Sequence, residues 1–126
     1  LHLSIRRQRQ MCIRDSVRPY FERVKAFVNP VRIGGGFRGK ILEAMSMGLP
    51  IVTTSLGAEG VSAEDGRDMI VCDDPASFAA ATVRLLRDDG LCASLGDRAR
   101  EMAVADFSWE KGVEELERVL SEVVNP

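Results

Sequence analysis

Histidine is nearly missing from this sequence: His2 is the only one, and it stands next to the first residue. A Ser-His-Asp triad within the chain is therefore not expected. Cysteine is scarce as well, with Cys12, Cys72 and Cys92 odd in number and widely spaced. Neither a disulfide framework nor a zinc site follows, and free thiols fit a reducing compartment. No apolar run approaches the ~20 residues that a membrane-spanning helix requires. Charge of one sign is not in excess either. The 17 Lys and Arg against 19 Asp and Glu leave a formal net charge of -2, so nucleic acid is not an expected partner. The chain begins apolar, Leu1-His2-Leu3-Ser4-Ile5, and then turns basic at Arg6, Arg7 and Arg9, the reverse of a secretory signal. The expected location is the cytoplasm, with any attachment to the inner membrane face left to regions outside this sequence.

What is present amounts to one small domain: 126 residues with a hydrophobic fraction of 45%. Residues 1–16 show no period and are read as a linker or a non-native join, so the domain is taken as 17–126. Pro19 fits the first turn of a short helix reaching about Val24. Ala26-Phe27-Val28, closed by Asn29-Pro30, reads as a buried strand. Arg38 to Met47 is rich in helix formers, with Ile41, Leu42, Met45 and Leu49 as its buried stripe and Gly48 as its stop. Ile51-Val52-Thr53-Thr54 is the clearest strand. Gly57, Gly60 and Gly66 punctuate a loop, and Met69 to Cys72 is a third strand. Asp73-Asp74-Pro75 supplies a helix cap. The helix behind it turns Phe78, Ala81, Leu85 and Leu86 inward. A second runs from about Leu91 to Ala105 around Leu95, Ala99 and Met102. Ser108 caps a third, with Val113, Leu116, Val119, Leu120 and Val123 as its apolar face. Strands alternating with helices imply an α/β fold, a parallel sheet with helices on both faces. Three strands are fewer than the five or six of a doubly wound domain, so the first half of such a domain is expected to lie outside this sequence.

The segment that carries chemistry is Arg32-Ile33-Gly34-Gly35-Gly36-Phe37-Arg38-Gly39-Lys40-Ile41-Leu42-Glu43. A strand leads into a glycine loop, and the loop opens a helix. Free amides and partial positive charge at a helix N-terminus attract phosphate, and glycines let an anion come close to the backbone. Arg38 and Lys40 in the first turn are unfavourable there unless an anion is near. The bland alternative is a tight turn with an ordinary Lys40–Glu43 surface pair. Neither the Walker pattern nor the dinucleotide fingerprint is matched. Glu43, one turn further in, can accept two hydrogen bonds from vicinal hydroxyls, or it is a solvated helix glutamate. Thr53 to Gly60 follows the next strand at its C-terminal end, where ligands bind in open α/β sheets. Gly57 and Glu59 are thereby expected to face the same crevice, or to form a polar surface loop.

The run NPVRIGGGFRGKILEAMSMGLPIVTTSLGAEGV resembles the donor-binding core of the retaining glycosyltransferases called family 4, or group 1. DDPASFAAATVRLLRDDG and LGDRAREMAVADFSWEKGVEELERVL are similar to that family's closing helices, so the likeness spans about Val17 to Val124. It implies an incomplete Rossmann-like half of a two-domain, GT-B-type enzyme that moves a sugar from a nucleoside-diphosphate sugar to an acceptor hydroxyl. On that likeness the backbone of Gly34, Gly35, Gly36 and Phe37 approaches the sugar or diphosphate. Glu43 holds the ribose, Arg38 and Lys40 contact phosphate or line the cleft, and Gly57 and Glu59 complete the donor site. The last helix crosses back toward the N-terminal half, leaving an apolar face around Trp109, Val113 and Leu116. Many members carry two glutamates eight positions apart; Glu43 matches the second, and the first falls on Gly35, which removes one side-chain contact to the donor sugar. The acceptor, a glycan or lipid-linked glycan as in polysaccharide assembly, and the catalytic residues belong to the missing N-terminal half of the same protein. No cofactor and no metal are expected. A non-catalytic nucleotide-binding or interaction module, and a sugar-nucleotide epimerase of the same fold, are the alternatives.

Overall fold

A computed structural model describes residues 17–36 and 38–124, so His2, Cys12, Phe37 and the segment 1–16 lie outside the described residues. Its centre is β2 (Ile51–Thr53), in which every residue is buried. It pairs in parallel with β1 (Phe27–Asn29) on one side and β3 (Ile70–Val71) on the other, in the order β1-β2-β3. Successive strand side chains point to opposite faces. Ile51 accordingly joins a cluster with Ile41, Met45, Met69 and Ala99, while Val52 joins Leu85 and Leu95 on the other face. β3 is shorter than the expected Met69 to Cys72. Met69 is engaged in a lone bridge to Asp65, and Cys72 keeps only a ladder bond, its N–H donating to the Thr53 carbonyl at 2.8 Å.

The helices follow their capping chemistry. α1 (Arg18–Phe21) has proline in its first turn and stops short of Val24. α2 (Gly39–Ser46) buries Ile41, Ala44 and Met45, then closes on Gly48 at φ 70°. There the Gly48 N–H reaches the Met45 carbonyl and the Leu49 N–H reaches the Ala44 carbonyl, the paired closure typical of a left-handed glycine. α3 (Ser55–Ala58) is a single turn where the glycines had suggested only loop. α4 (Pro75–Arg87) begins at Asp74, whose carboxylate accepts from the Ala76 and Ser77 amides at 3.1 and 2.9 Å. Leu85 is fully buried on it, but Leu86 is half exposed, not inward as expected, because consecutive helix positions diverge by a quarter turn or more. α5 (Asp89–Phe107) starts earlier than Leu91, since the Asp88 side chain accepts from the Leu91 amide at 2.9 Å. α6 (Trp109–Val124) is capped by Ser108, which accepts from the Lys111 amide.

α2 covers one face of the sheet and α4 the other. α5 serves both: Cys92 and Leu95 join the α4 cluster, while Ala99 and Ala103 join the α2 cluster. Gly96, between these groups, lies against the Gly48 carbonyl and Pro50. Gly48 and Pro50 lead into β2, so α5 crosses the N-terminal end of the sheet. Lys25, just before β1, ties that end to the start of α5 through Asp89 at 2.5 Å and to the end of α4 through the Leu86 carbonyl at 2.8 Å. The C-terminal ends of the strands are left open.

α6 buries nothing. Trp109, Val113, Leu116, Leu120 and Val123 recur at alternating spacings of four and three, and Trp109 is 89% exposed. No helix among the described residues is long and apolar enough to cross a membrane.

The Gly96 crossing gives a sharp expectation. Alanine normally improves a helix interior relative to glycine. At Gly96 a Cβ would collide with the Gly48 carbonyl oxygen. Gly96→Ala should therefore destabilise the fold by about 1–3 kcal/mol, the usual range for overpacking. Chemical denaturation would check this; an unchanged or raised midpoint would contradict the close approach.

Candidate functional site

The open end of the sheet carries two loops, one after β1 and one after β2. In-register pairing sets Asn29 beside Thr53. The Asn29 amide nitrogen donates to Thr53 Oγ1 at 3.3 Å, and Thr53 Oγ1 is 3.2 Å from the Asn29 carbonyl. Gly57 of α3 packs onto this pair. A Cβ there would collide with Thr53 Oγ1 and come within 2.8 Å of Asn29 Nδ2, so only glycine allows α3 to sit so low.

Thr54 joins the loops at their base. Its hydroxyl donates to the Val31 carbonyl at 2.5 Å and accepts from the Gly57 amide at 3.0 Å, capping α3. Asp73 holds α3 from the far side, accepting from the Ser55 amide at 2.8 Å and hydroxyl at 2.9 Å. The helix-cap role expected of Asp73-Asp74 thus divides: Asp74 caps α4, and Asp73 serves α3. Arg38 joins the loops higher up. Its Nε and one terminal nitrogen donate to the Leu56 carbonyl at 3.3 and 3.1 Å. The same terminal nitrogen donates to the Gly34 carbonyl at 3.1 Å.

Gly34, Gly35 and Gly36 are all exposed, and Ile33 beside them is 93% exposed. Gly34 and Gly36 have φ of 135° and 99°, a backbone that L side chains rarely adopt. Among the described residues, the three glycine amides have no backbone or side-chain acceptor. Lys40 and Glu43 are exposed one turn apart on α2. They do not pair with each other or with another described side chain, so the surface-pair alternative is not formed. Glu59 is exposed just past α3 and lines an open pocket of about 610 Å³ with Leu56, Gly60 and Val61. Gly57 is buried, and neither it nor Lys40 nor Glu43 is part of the pocket's wall. A smaller, largely apolar cavity of about 180 Å³ opens on the α4 side between Arg32, Asp73 and Phe78. The structure therefore gathers the glycine bend, Arg38, Gly57 and the Glu59 loop, and sets Lys40 and Glu43 on the adjoining helix.

Cys72 stands at the end of β3, close to this region. Burial pushes its thiol above the ordinary value, and the charges of Asp65, Asp74 and Asp73 push it further the same way. That disfavours the thiolate a nucleophile would need. Cys92 is raised chiefly by burial and donates its Sγ hydrogen to the Leu85 carbonyl, a core contact. Among the described residues, no three His, Cys, Asp or Glu side chains are grouped so as to hold a metal ion.

Residues 5–88 match the family described as Glycosyl transferases group 1. The chain belongs to this family. The D-inositol 3-phosphate glycosyltransferases of Corynebacterium jeikeium and Salinispora arenicola are 33% and 38% identical to it, over 65% and 66% of this chain and 20% and 19% of theirs. The N-acetyl-alpha-D-glucosaminyl L-malate synthase of Bacillus anthracis is 31% identical over 67% of this chain and 23% of its own. Among solved structures, the sucrose-phosphate synthase of Thermosynechococcus elongatus superimposes with a TM-score of 0.72 at 22% identity, over 86% of this chain and 27% of that one. This likeness places the α/β architecture in the GT-B fold. The matches cover about a fifth of the length of the curated relatives.

Sequence reasoning missed Asn29, Thr54 and Asp73 as builders of the site. Their hydroxyl, amide and carboxylate groups were visible, but their partners lie 18 to 24 residues away in sequence. Removing the Thr54 hydroxyl leaves the Gly57 amide and the Val31 carbonyl without their partner in a nearly sealed place. Thr54→Val should cost about 1–3 kcal/mol, whereas Thr54→Ser retains most of the stability. Thermal or denaturant unfolding of the two variants would show it, and equal midpoints would contradict the capping role.

Proposed function

We propose that this chain forms part of the nucleotide-sugar-binding half of a retaining, family 4 glycosyltransferase. The reaction moves a sugar from a nucleoside-diphosphate sugar to an acceptor hydroxyl, with a glycan or lipid-linked glycan as acceptor. The observation that carries this reading is the bend at Gly34, Gly35 and Gly36: exposed, tied to α3 through Arg38, with amides that have no described protein partner. Free amides near a helix start are a ready site for a diphosphate, whose negative charge grows as the sugar–phosphate bond breaks. Phe37, outside the described residues, belongs to the same donor-binding set on the family likeness. Lys40 adds a positive charge one residue into α2. Glu43, one turn deeper and unpaired, offers two carboxylate oxygens to the ribose hydroxyls. Gly57 and Glu59 form the opposite side, and Arg38 belongs to the set through the carbonyls it joins. Gly35 stands where the family pattern implies a glutamate, which leaves the donor sugar without a side-chain hold at that point.

The rest of the protein supplies the acceptor site and the remaining phosphate contacts, and α6 returns toward it with its apolar face. With an acceptor present, the intact enzyme should release free nucleoside diphosphate as the sugar moves. Glu43→Ala should weaken donor binding by about 10–100-fold, the loss of charge-assisted hydrogen bonds to two hydroxyls. Calorimetric titration with uridine, guanosine and adenosine diphosphate sugars in parallel would measure it. A Glu43→Ala enzyme that binds its donor as tightly as the wild type would refute the ribose assignment.

A further inference from the structure

The glycine bend and α3 are both short irregular segments, yet the structure holds them in one arrangement. Thr54 fastens them only at the base, through the Val31 carbonyl. Above that point the described hydrogen bonds between the bend and α3 run through Arg38 alone. One nitrogen of its guanidinium lies 3.1 Å from both the Leu56 and the Gly34 carbonyls, and Nε makes a second contact to Leu56. Leu56 lies within a helix of only four residues, whose carbonyls have few internal partners. The Gly34 carbonyl leads a stretch of two positive-φ glycines, which has little stiffness of its own.

We propose that Arg38 is a positioning residue, latching the glycine bend to α3 so that the amides of Gly34–Gly36 and the Glu59 loop stand at a fixed separation before any ligand arrives. The inference rests on the reading of this crevice as a donor site, and it assigns Arg38 a role other than direct phosphate contact. Its guanidinium is directed to two carbonyls, and a planar fork reaches both in a way that a lysine ammonium cannot reproduce. A phosphate ligand would tolerate lysine as a point charge; a two-carbonyl latch would not.

The test uses Arg38→Lys and Arg38→Ala, with amide hydrogen exchange and affinity for uridine diphosphate as readouts. The amides of Gly57, Ala58 and Val61 are hydrogen-bonded within and just after α3 and report on its opening. With the latch lost, both variants should exchange these amides about tenfold faster in the absence of nucleotide. Exchange at Leu95 and Ala99 in α5 stays unchanged if the fold is intact. Both variants should then bind uridine diphosphate about tenfold more weakly, lysine no better than alanine. Wild-type exchange in nucleotide-free Arg38→Ala, or affinity retained by Arg38→Lys and lost by Arg38→Ala, would overturn the latch. A wild-type protein that binds no nucleoside diphosphate at all would instead sink the donor-site reading, while the exchange data would still judge the latch on its own.

Discussion

The parallel pairing of β1 with β2 is the constraint from which the open end of this molecule is built. Three residue pairs fix it, and the last, Asn29 with Thr53, decides what happens beyond the strands. Because those two polar side chains meet there, Gly57 can settle on them, and Thr54 can reach the Val31 carbonyl. A shift of one residue would turn every strand side chain to the wrong face and separate the two loops at once. At the opposite end of the sheet, α5 passes across with Gly96 against the Gly48 carbonyl and seals that side. One end is closed by packing, and the other is held open by a small set of hydrogen bonds. This asymmetry is what open α/β sheets require of a ligand-binding edge.

Much of the architecture could be read from local pattern. Ile51-Val52-Thr53 is β-branched and fully buried, and it became the central strand. The apolar stripe Ile41, Met45 and Leu49, with Gly48 as a stop, marked α2 correctly because each signal acts within one or two turns. Asp74 followed by Pro75 marked the start of α4 for the same reason. α3 was illegible, since a turn containing Gly57 is stabilised by packing on Asn29 and by a threonine cap and not by propensity. Leu86 was misplaced because the sequence does not show which member of an adjacent leucine pair faces the sheet; Leu85 does, and Leu86 is half exposed. At the site, position within the sheet could be inferred, but partnership could not. Lys40 and Glu43 look like a surface pair in sequence and are apart in the fold, while Arg38 reaches a carbonyl eighteen residues onward.

The family relationship and the geometry support each other at different levels. The match over residues 5–88 establishes descent within the group 1 glycosyl transferases, and the superposition on a sucrose-phosphate synthase establishes the architecture. The relatives named above carry chemically different compounds in their names, D-inositol 3-phosphate in one and L-malate in another.

α6 gives the chain two tiers of cohesion. Its sixteen residues bury none of their side chains; those are joined along their own surface by Lys111–Glu114 and by Arg118 to Glu115 and Glu122. Such pairs contribute a few tenths of a kcal/mol each, and a helix of this length is marginal in water by itself. The terminal segment can therefore melt and re-form without disturbing the layers around β2. A single sharp unfolding transition recorded for this polypeptide would describe the body that ends near Ser108, while the helicity of the tail follows its own, shallower curve.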